Sequence, residues 1–234
     1  MADNRDRLIV ALDVGKALQA REIVAKVGAF ATTYKVGKQL FTAEGPQVVR
    51  DLVASGRKVF LDLKYHDIPN TVGKAVGEAC ALGVSMLTVH GAGGSKMLRS
   101  AVEAAANSPS RPLILAVTVL TSFSDQDLRE VGVPASVLEQ AQTIARLAQS
   151  CGCGGVVTSP REARALRQLL GPGPAIVTPG VRPSGSELGD QARVATPKEA
   201  IAAGASHIVV GRPISAAPDP AAAAKAILEE IGSQ

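Results

Sequence analysis

The sequence predicts an α/β protein folded as a single (β/α)8 TIM barrel domain over residues 1–234. Strand-like and helical patterns alternate eight times along the chain, which is typical of a parallel sheet. The strand-like runs are short and mostly apolar on both faces, as buried parallel strands are. Eight such units in 234 residues suit a closed barrel. A doubly wound open sheet is the alternative, and it usually needs fewer strands.

Eight runs rich in Val, Ile and Leu predict the strands. In chain order they cover residues 7–14, 32–37, 58–64, 85–91, 113–121, 154–159, 175–181 and 207–211. The clearest helical patterns lie between and after them, at residues 46–56, 72–83, 136–152 and 221–232. Thr196 is expected to cap a helix that begins at Pro197. The long connection 122–135 predicts an additional short helix.

Composition and charge disfavour several classes of function. The 25 basic and 21 acidic residues give a net charge of +4, without any run of five or more basic residues. Aromatic residues make up 3% of the chain and Trp is absent, so stacking platforms for single-stranded nucleic acid are not expected. The mild positive charge suits a small anionic substrate at least as well. We therefore expect no nucleic-acid partner.

The sequence also favours a cytoplasmic protein without a membrane span or a metal ion. No apolar stretch reaches the roughly 18 residues of a membrane helix, and the first residues lack the apolar segment of a signal peptide. Three cysteines, an odd number, favour a reducing compartment over a disulfide framework. Cys151 and Cys153 could begin a zinc site, but neither a second cysteine pair nor an HExxH pattern accompanies them.

Charged side chains collect where the predicted strands end, which is where barrels of this class place their active sites. Asp62 and Lys64 end the third strand and, being two residues apart, should project to the same face. Asp67 follows just past the strand, while Asp13 and Lys35 lie on the two preceding strands. The structural alternatives are that Asp67 is an N-cap and that Lys64 is only an ion-pair partner of Asp62.

A lysine between carboxylates favours decarboxylation. Nearby opposite charge keeps Lys64 protonated, so it can act as a proton donor. The lysines hold the carboxylates ionised, and a substrate anion about 4 Å from Asp62 is then repelled by roughly 4 kcal/mol at an effective dielectric constant near 20. Such a site repels an anionic leaving group and supplies a proton where that group departs.

The region after strands seven and eight indicates a phosphate on the substrate. Gly211 and Arg212 end the eighth strand, where these barrels recurrently bind phosphate, and Arg can bond two phosphate oxygens at once. The Gly-, Pro- and Ser-rich segment 178–197 predicts a loop that closes over substrate through Arg182 and Gln191. A surface arginine and an ordinary exposed loop are the alternatives. The chain has no Walker A motif and no GxGxxG after a strand, so no nucleotide cofactor is expected.

The segment DLKYHDIPNT at 62–71 resembles the signature of the orotidine 5′-phosphate decarboxylase family. The resemblance extends over nearly the whole chain, and the order and strand placement of the motifs agree as well. Further matching segments are ALDV at 11–14, YKVGKQLF at 34–41, TVHGAGG at 88–94, AVTVLTS at 116–122, TPGVRP at 178–183, GDQARVATP at 189–197 and VVGRPI at 209–214.

This resemblance implies a homodimeric enzyme, independent of metals and cofactors, that converts orotidine 5′-phosphate to UMP and carbon dioxide in de novo pyrimidine biosynthesis. It implies that Lys64 protonates the C6 carbanion of the pyrimidine and that Asp62 sits against the substrate carboxylate. It also implies that Lys35 completes the charged network and that Asp13 and Lys35 contact the ribose. The pyrimidine would meet Thr121 and Ser122, and the phosphate would bind Arg182, Gln191, Gly211 and Arg212. The other subunit would donate Asp67, Ile68 and Thr71.

Two other functions compete with this one. Sugar-phosphate decarboxylases and hexulose-phosphate synthases share the Asp-x-Lys-x-x-Asp strand end but use Mg²⁺ to stabilise an enediolate; the IPNT extension and the LTS segment favour the pyrimidine enzyme. A non-catalytic phosphate-binding barrel is the second competitor. The presence of Lys64, Asp62 and Asp67 argues against it.

Overall fold

The computed structural model describes residues 4–183 and 195–232 and confirms the predicted (β/α)8 barrel. Eight parallel strands pair in sequence order, and β1 pairs with β8 to close the sheet. The strands are β1 Leu8–Ala11, β2 Thr33–Gly37, β3 Lys58–Tyr65, β4 Met86–His90, β5 Leu113–Val117, β6 Gly155–Val157, β7 Ala175–Thr178 and β8 His207–Val210.

Helices follow the strands and cover the outside of the barrel. The additional helix expected within 122–135 is present as α7, and it follows β5. The helices are α1 Asn4–Arg7, α2 Ala17–Val27, α3 Lys38–Glu44, α4 Gln47–Ala54, α5 Pro69–Ala81, α6 Gly94–Ala106, α7 Asp125–Glu130, α8 Val137–Ser150, α9 Pro160–Leu170, α10 Pro197–Ala202, α11 Arg212–Ser215 and α12 Pro220–Gly232. None of these helices is long and apolar enough to cross a membrane, among the residues that the structure describes.

Two hydrophobic cores explain why the strands are apolar on both faces. The inner core fills the barrel, and residues such as Ile9, Phe60 and Leu115 are buried there. The outer core lies between the sheet and its helices, and it contains Leu61 and Val76. Because successive residues of a strand point to opposite faces, neighbouring positions such as Phe60 and Leu61 serve different cores. Packing against both cores holds the sheet in place, and the side chains at the strand ends therefore have defined positions.

Helix caps begin several elements, and the cap predicted at Thr196 is confirmed. Thr196 is the N-cap of α10, with its side chain and that of Glu199 forming a reciprocal capping box, and Pro197 is the first helical residue. Ser136 caps α8 in the same way. Each such cap satisfies amide groups that would otherwise lack partners at the start of the helix.

The predicted fifth strand is too long by four residues. The run 113–121 was expected to be strand throughout, but β5 ends at Val117 and Thr121 lies in the following turn. Val119 instead packs with Leu128 and Val137 in a small separate core beneath α7 and α8. The apolar, β-branched composition of this segment is therefore explained by burial under these helices rather than by strand pairing.

Candidate active site

The candidate active site is a cleft at the carboxyl ends of the strands. Its charged side is formed by Lys35, Asp62 and Lys64. The rest of the lining forms an apolar wall of Phe60, Val117, Val119, Leu120, Val157, Pro179 and Val209, to which Thr121 is added. Apolar lining around charged groups lowers the local dielectric constant and strengthens the electrostatic interactions within the cleft.

Four side chains of alternating charge form a row along the charged side. The ammonium group of Lys35 lies 2.8 Å from Asp13 Oδ1 and 3.8 Å from Asp62 Oδ2. The ammonium group of Lys64 lies 2.8 Å from Asp62 Oδ1. The row therefore runs Asp13, Lys35, Asp62, Lys64 across three neighbouring strand ends. The expectation that Asp62 and Lys64 project to the same face is confirmed.

Burial increases towards the middle of the row. The side chains of Asp62 and Lys35 are 13% and 11% exposed, whereas that of Asp13 is 55% exposed. Burial alone would raise the pKa of Asp62. The positive charges of Lys64 and Lys35, with hydrogen bonds from Lys64 and Thr88, outweigh it and hold this pKa below its ordinary value. Asp62 is therefore an anion at neutral pH despite being largely removed from water.

A small residue beside the row leaves room for the lysine. Gly37 pairs with Asp62 across β2 and β3. A Cβ atom at Gly37 would lie 2.9 Å from Lys35 Nζ and 3.2 Å from Asp13 Oδ1. Both distances are too short for an ordinary contact, so a side chain at this position would push Lys35 away from Asp13.

The end of β3 departs from regular strand geometry at Lys64. This residue has a φ of 54°, in the left-handed region that residues with a Cβ seldom adopt, at a cost of about 1–2 kcal/mol. The pairing with β4 shifts between Leu61 and Tyr65, which marks a bulge. Leu61, Leu63 and Tyr65 still pack on the outer core. Asp62 and Lys64 therefore remain on the cleft side.

Sequence reasoning missed Thr88, which contacts both residues of the central ion pair. Its hydroxyl group accepts a hydrogen bond from the Lys64 backbone N–H and donates one to Asp62 Oδ1. The side chain lies inside β4 and is completely buried. A threonine in a strand is so common that nothing in the sequence alone distinguishes it.

A pair of stacked histidines lies next to the row; His90 is a polar residue at the end of β4, but the sequence does not indicate its stacking on His66. The rings of His66 and His90 lie 5.1 Å apart and are nearly parallel. Burial, followed by the nearby charges of His66, Lys38 and Lys64, holds the pKa of His90 below its ordinary value. The His90 ring is therefore neutral at pH 7, and its Nδ1 accepts a hydrogen bond from the Ala92 N–H.

Two predicted phosphate ligands, Arg182 and Arg212, lie close together near the Asp13 end of the charged row. Burial, followed by the charge of Arg212, lowers the pKa of Arg182, so the two guanidinium groups are near enough to repel each other. Gly211 connects them to the charged row, because a Cβ atom there would lie 3.6 Å from Asp13 Oδ2. A cationic pocket of this kind suits an anionic group. Gln191, the fourth predicted ligand, lies outside the described residues.

The two residues predicted to meet the pyrimidine ring differ in position. Thr121 lines the cleft, although it does so from the turn after β5 rather than from the strand itself. Ser122 is exposed and does not line the cleft.

The three residues assigned to a partner subunit are all exposed. Ile68 is 65% exposed, which is unusual for a large apolar side chain, and Asp67 and Thr71 are exposed as well. The Asp67 carboxylate accepts a hydrogen bond from the Ile68 N–H and has no ion pair among the described residues. The N-cap of α5 is Ile68, so the alternative that Asp67 caps this helix is wrong.

The described residues offer no ready-made metal centre. Within residues 4–183 and 195–232, no group of three or more His, Cys, Asp and Glu side chains is arranged to hold a metal ion. Cys151 and Cys153 are buried and form no disulfide. Burial and the neighbouring Cys151 raise the pKa of Cys153 to about 12, so its thiolate, the form that binds metals, is disfavoured.

Comparison with known proteins identifies a family. The family model described as "Orotidine 5'-phosphate decarboxylase / HUMPS family" matches residues 6–227. An orotidine 5′-phosphate decarboxylase of Moorella thermoacetica is 52% identical, covering 97% of this chain and 92% of the relative, and that of Halorhodospira halophila is 53% identical, covering 97% and 96%. The crystal structure of the Lactobacillus acidophilus orotidine 5′-phosphate decarboxylase superposes with a TM-score of 0.88 at 41% identity, over 97% of this chain and 100% of that one.

Proposed function

Because the chain belongs to the orotidine 5′-phosphate decarboxylase / HUMPS family, we propose that it decarboxylates orotidine 5′-phosphate to UMP and carbon dioxide in de novo pyrimidine biosynthesis. The observation that carries the proposal is the row Asp13, Lys35, Asp62, Lys64 facing an apolar wall. Relatives about half identical over nearly their full length bear the name of this enzyme, which supports the choice of substrate.

The geometry of the cleft suggests how the substrate lies. The phosphate binds at Arg212, Arg182 and the backbone of Gly211, with Gln191 as a further ligand. The ribose hydroxyl groups contact Asp13 and Lys35, which are adjacent to that end of the cleft. The pyrimidine ring then extends along the apolar wall past Thr121. This orientation brings the substrate carboxylate to Asp62 and Lys64.

The reaction needs one bond to break and one to form. The bond between C6 and the carboxylate carbon breaks, carbon dioxide leaves, and the electron pair stays on C6. Lys64 donates a proton from its ammonium group to C6, which gives UMP and leaves a neutral amine that regains a proton from water. The 2.8 Å distance from Lys64 Nζ to Asp62 Oδ1 supports this role, because a substrate carboxylate that sits against Asp62 would then lie beside the proton donor.

Repulsion between carboxylates is one contribution to this catalysis and cannot be the main one. At about 4 Å, with an effective dielectric constant near 20, two anions repel each other by roughly 4 kcal/mol. Enzymes lower barriers by about 8–23 kcal/mol. The remainder must come from cations held in advance where negative charge develops on C6, and from the binding energy of the remote phosphate. The row of charges supports this view, because contacts within the chain itself hold Lys35 and Lys64 beside Asp62.

The main competitor is the Mg²⁺-dependent reaction on sugar phosphates, because the description of the matching family also names HUMPS. One feature of the cleft disfavours it. Each oxygen of the Asp62 carboxylate already faces an ammonium group, Lys64 on one side and Lys35 on the other. A divalent cation bound to Asp62 would be repelled by both lysines. We therefore propose a reaction that requires neither a metal ion nor an organic cofactor.

The active enzyme in this proposal is a homodimer in which each site uses residues of both subunits. The cluster Asp67, Ile68 and Thr71 is exposed, and its aspartate has no ion pair among the described residues. Placed in the partner's cleft, Asp67 would extend the alternating row beyond Lys64 of that subunit, and Ile68 would be removed from water. Nucleic acid and membranes have no part in this function. The odd number of cysteines, none of them in a disulfide, supports a cytoplasmic location.

Purified protein mixed with orotidine 5′-phosphate and EDTA should lose the ultraviolet absorbance of the substrate and accumulate UMP. In Lys64→Ala the rate should fall by at least about 10³-fold, because the proton donor and the cation beside C6 are both removed. The measurement is absorbance against time at saturating substrate.

A matched control is Lys58→Ala, which removes a lysine from the opposite end of the same strand, where it pairs with Asp6. This variant should keep the parental rate. Absence of turnover in the unmutated protein, or activity only after Mg²⁺ is added, would defeat the assignment. Equal rates in Lys64→Ala and the parent would defeat the role given to Lys64.

Substitution of Arg212 should impair the chemical step as well as binding. In Arg212→Ala, we expect KM to rise and kcat to fall by about tenfold or more, because phosphate binding energy is used to assemble the transition state. Steady-state kinetics measures both constants. Arg21→Ala, which removes an exposed arginine paired with Asp51 on the outer helices, is the control and should change neither. A raised KM with an unchanged kcat would contradict the proposal.

Mixing two inactive variants tests whether the site is shared between subunits. Lys64→Ala and Asp67→Ala homodimers each lack an essential group at both sites. If Asp67 acts in the partner's cleft, a hybrid dimer contains one site with both residues intact. Unfolding and refolding an equal mixture should then restore about a quarter of the parental activity, since half of the dimers are hybrids. No recovery from a mixture that forms hybrids would place Asp67 in its own subunit's site.

A further inference from the structure

The bulge at the end of β3 leaves three residues opposite one residue of β4. Leu61 pairs with Leu87 and Tyr65 pairs with Val89, so the interval that spans four steps on β3 spans two on β4. Asp62, Leu63 and Lys64 therefore stand against Thr88 alone. In a regular parallel ladder, a backbone N–H here would bond to a carbonyl of the neighbouring strand. The Lys64 N–H bonds to the Thr88 hydroxyl instead, at 2.9 Å.

The direction of both bonds of this hydroxyl is fixed by its partners. The Lys64 N–H can only donate, so Thr88 Oγ1 accepts from it. An ionised Asp62 can only accept, so the single hydroxyl proton of Thr88 points at Asp62 Oδ1, 3.0 Å away. Thr88 is fully buried, and water is therefore not positioned to replace either bond. One hydroxyl group thus connects the backbone of the lysine to the carboxylate that the lysine faces.

These contacts fix the orientation of the central ion pair. Asp62 Oδ1 receives both the Thr88 hydroxyl and the Lys64 ammonium group, which leaves Oδ2 turned towards Lys35. The bond to the Lys64 N–H holds that residue in its left-handed conformation, which a regular strand would not support. Other buried threonines do not have this role. Thr118, for example, bonds to the Val157 carbonyl of the neighbouring strand.

We propose that Thr88 is a positioning residue for the decarboxylation: its hydroxyl group holds the Asp62 carboxylate and the Lys64 ammonium group in register with the departing group of the substrate. The inference rests on the proposed function for its catalytic meaning, and on the three contacts of Thr88, Asp62 and Lys64 for its geometry. Thr88 touches neither C6 nor the carboxylate of the substrate in this account. It acts through the two residues that do.

The test compares variants that differ in the hydroxyl group but little in size. Thr88→Val keeps the shape and removes the hydroxyl, Thr88→Ser keeps the hydroxyl and removes the methyl group, and Thr88→Ala removes both. We expect kcat to fall by about 10- to 100-fold in Thr88→Val and Thr88→Ala, with KM changed by less than about threefold, since an orienting bond to a charged group is lost. Thr88→Ser should stay within about threefold of the parent.

Thr118→Val is the matched control. Thr118 directly follows β5, its buried hydroxyl group bonds to the Val157 carbonyl, and it does not bond to the charged row. Its loss should leave kcat unchanged. If Thr88→Val fails to fold, the Thr88→Ser and Thr88→Ala pair still isolates the hydroxyl group. A parental kcat in the variants without the hydroxyl, a loss in Thr88→Ser as large as in Thr88→Ala, or a change in KM alone would overturn the proposal.

Crystal structures of the variants separate this inference from the proposed function. In Thr88→Val, the distance from Lys64 Nζ to Asp62 Oδ1 should exceed the hydrogen-bond limit of about 3.5 Å, and Thr88→Ser should retain it. An unchanged pair in Thr88→Val would overturn the positioning role even in an active enzyme. If the unmutated protein does not decarboxylate orotidine 5′-phosphate, the proposed function fails, while these structures still decide what Thr88 holds in place.

Discussion

The buried carboxylate of Asp62 is the group on which the rest of the site depends. Taking an anion out of water is costly unless it is paired and hydrogen-bonded. Lys64, Lys35 and Thr88 supply those partners, and they overcome the rise that burial would otherwise cause in the pKa of Asp62. The exposed Asp13 then balances Lys35. Loss of Lys35, Asp62 or Lys64 would leave a buried charge without its partner, so these residues depend on one another for their stability.

The barrel explains how residues far apart in sequence form this row. Parallel strands in fixed register place Lys35 of β2 and Asp62 of β3 at adjacent strand ends, with Asp13 just beyond β1. Closure of the sheet makes β8 a neighbour of β1, so the segment carrying Gly211 comes next to Asp13. The proposed phosphate site is thereby joined to the proposed reacting end by rigid elements.

Much of this architecture is predictable from the sequence because it depends on periodic patterns. Alternating apolar strands and helices indicate the barrel, and charges at strand ends such as Lys35 and Asp62 indicate the site. The bulge at the end of β3 could not be predicted, because the sequence near Lys64 carries no glycine or proline to signal a left-handed residue. Thr88 reads as an ordinary strand residue until its two partners are located. The end of β5 was misplaced because burial beneath α7 requires the same apolar composition as a strand.

The row of charges is expected to hold the Asp62 carboxylate ionised in the absence of substrate. The most direct test is an NMR titration of the Asp62 carboxyl carbon in the ligand-free protein, with Lys64→Ala measured alongside. We predict that the pKa of Asp62 lies below its ordinary value of 3.8 and rises in the variant, where burial is no longer fully opposed. A pKa above 3.8 in the unmutated protein, or one that does not respond to loss of Lys64, would contradict the account.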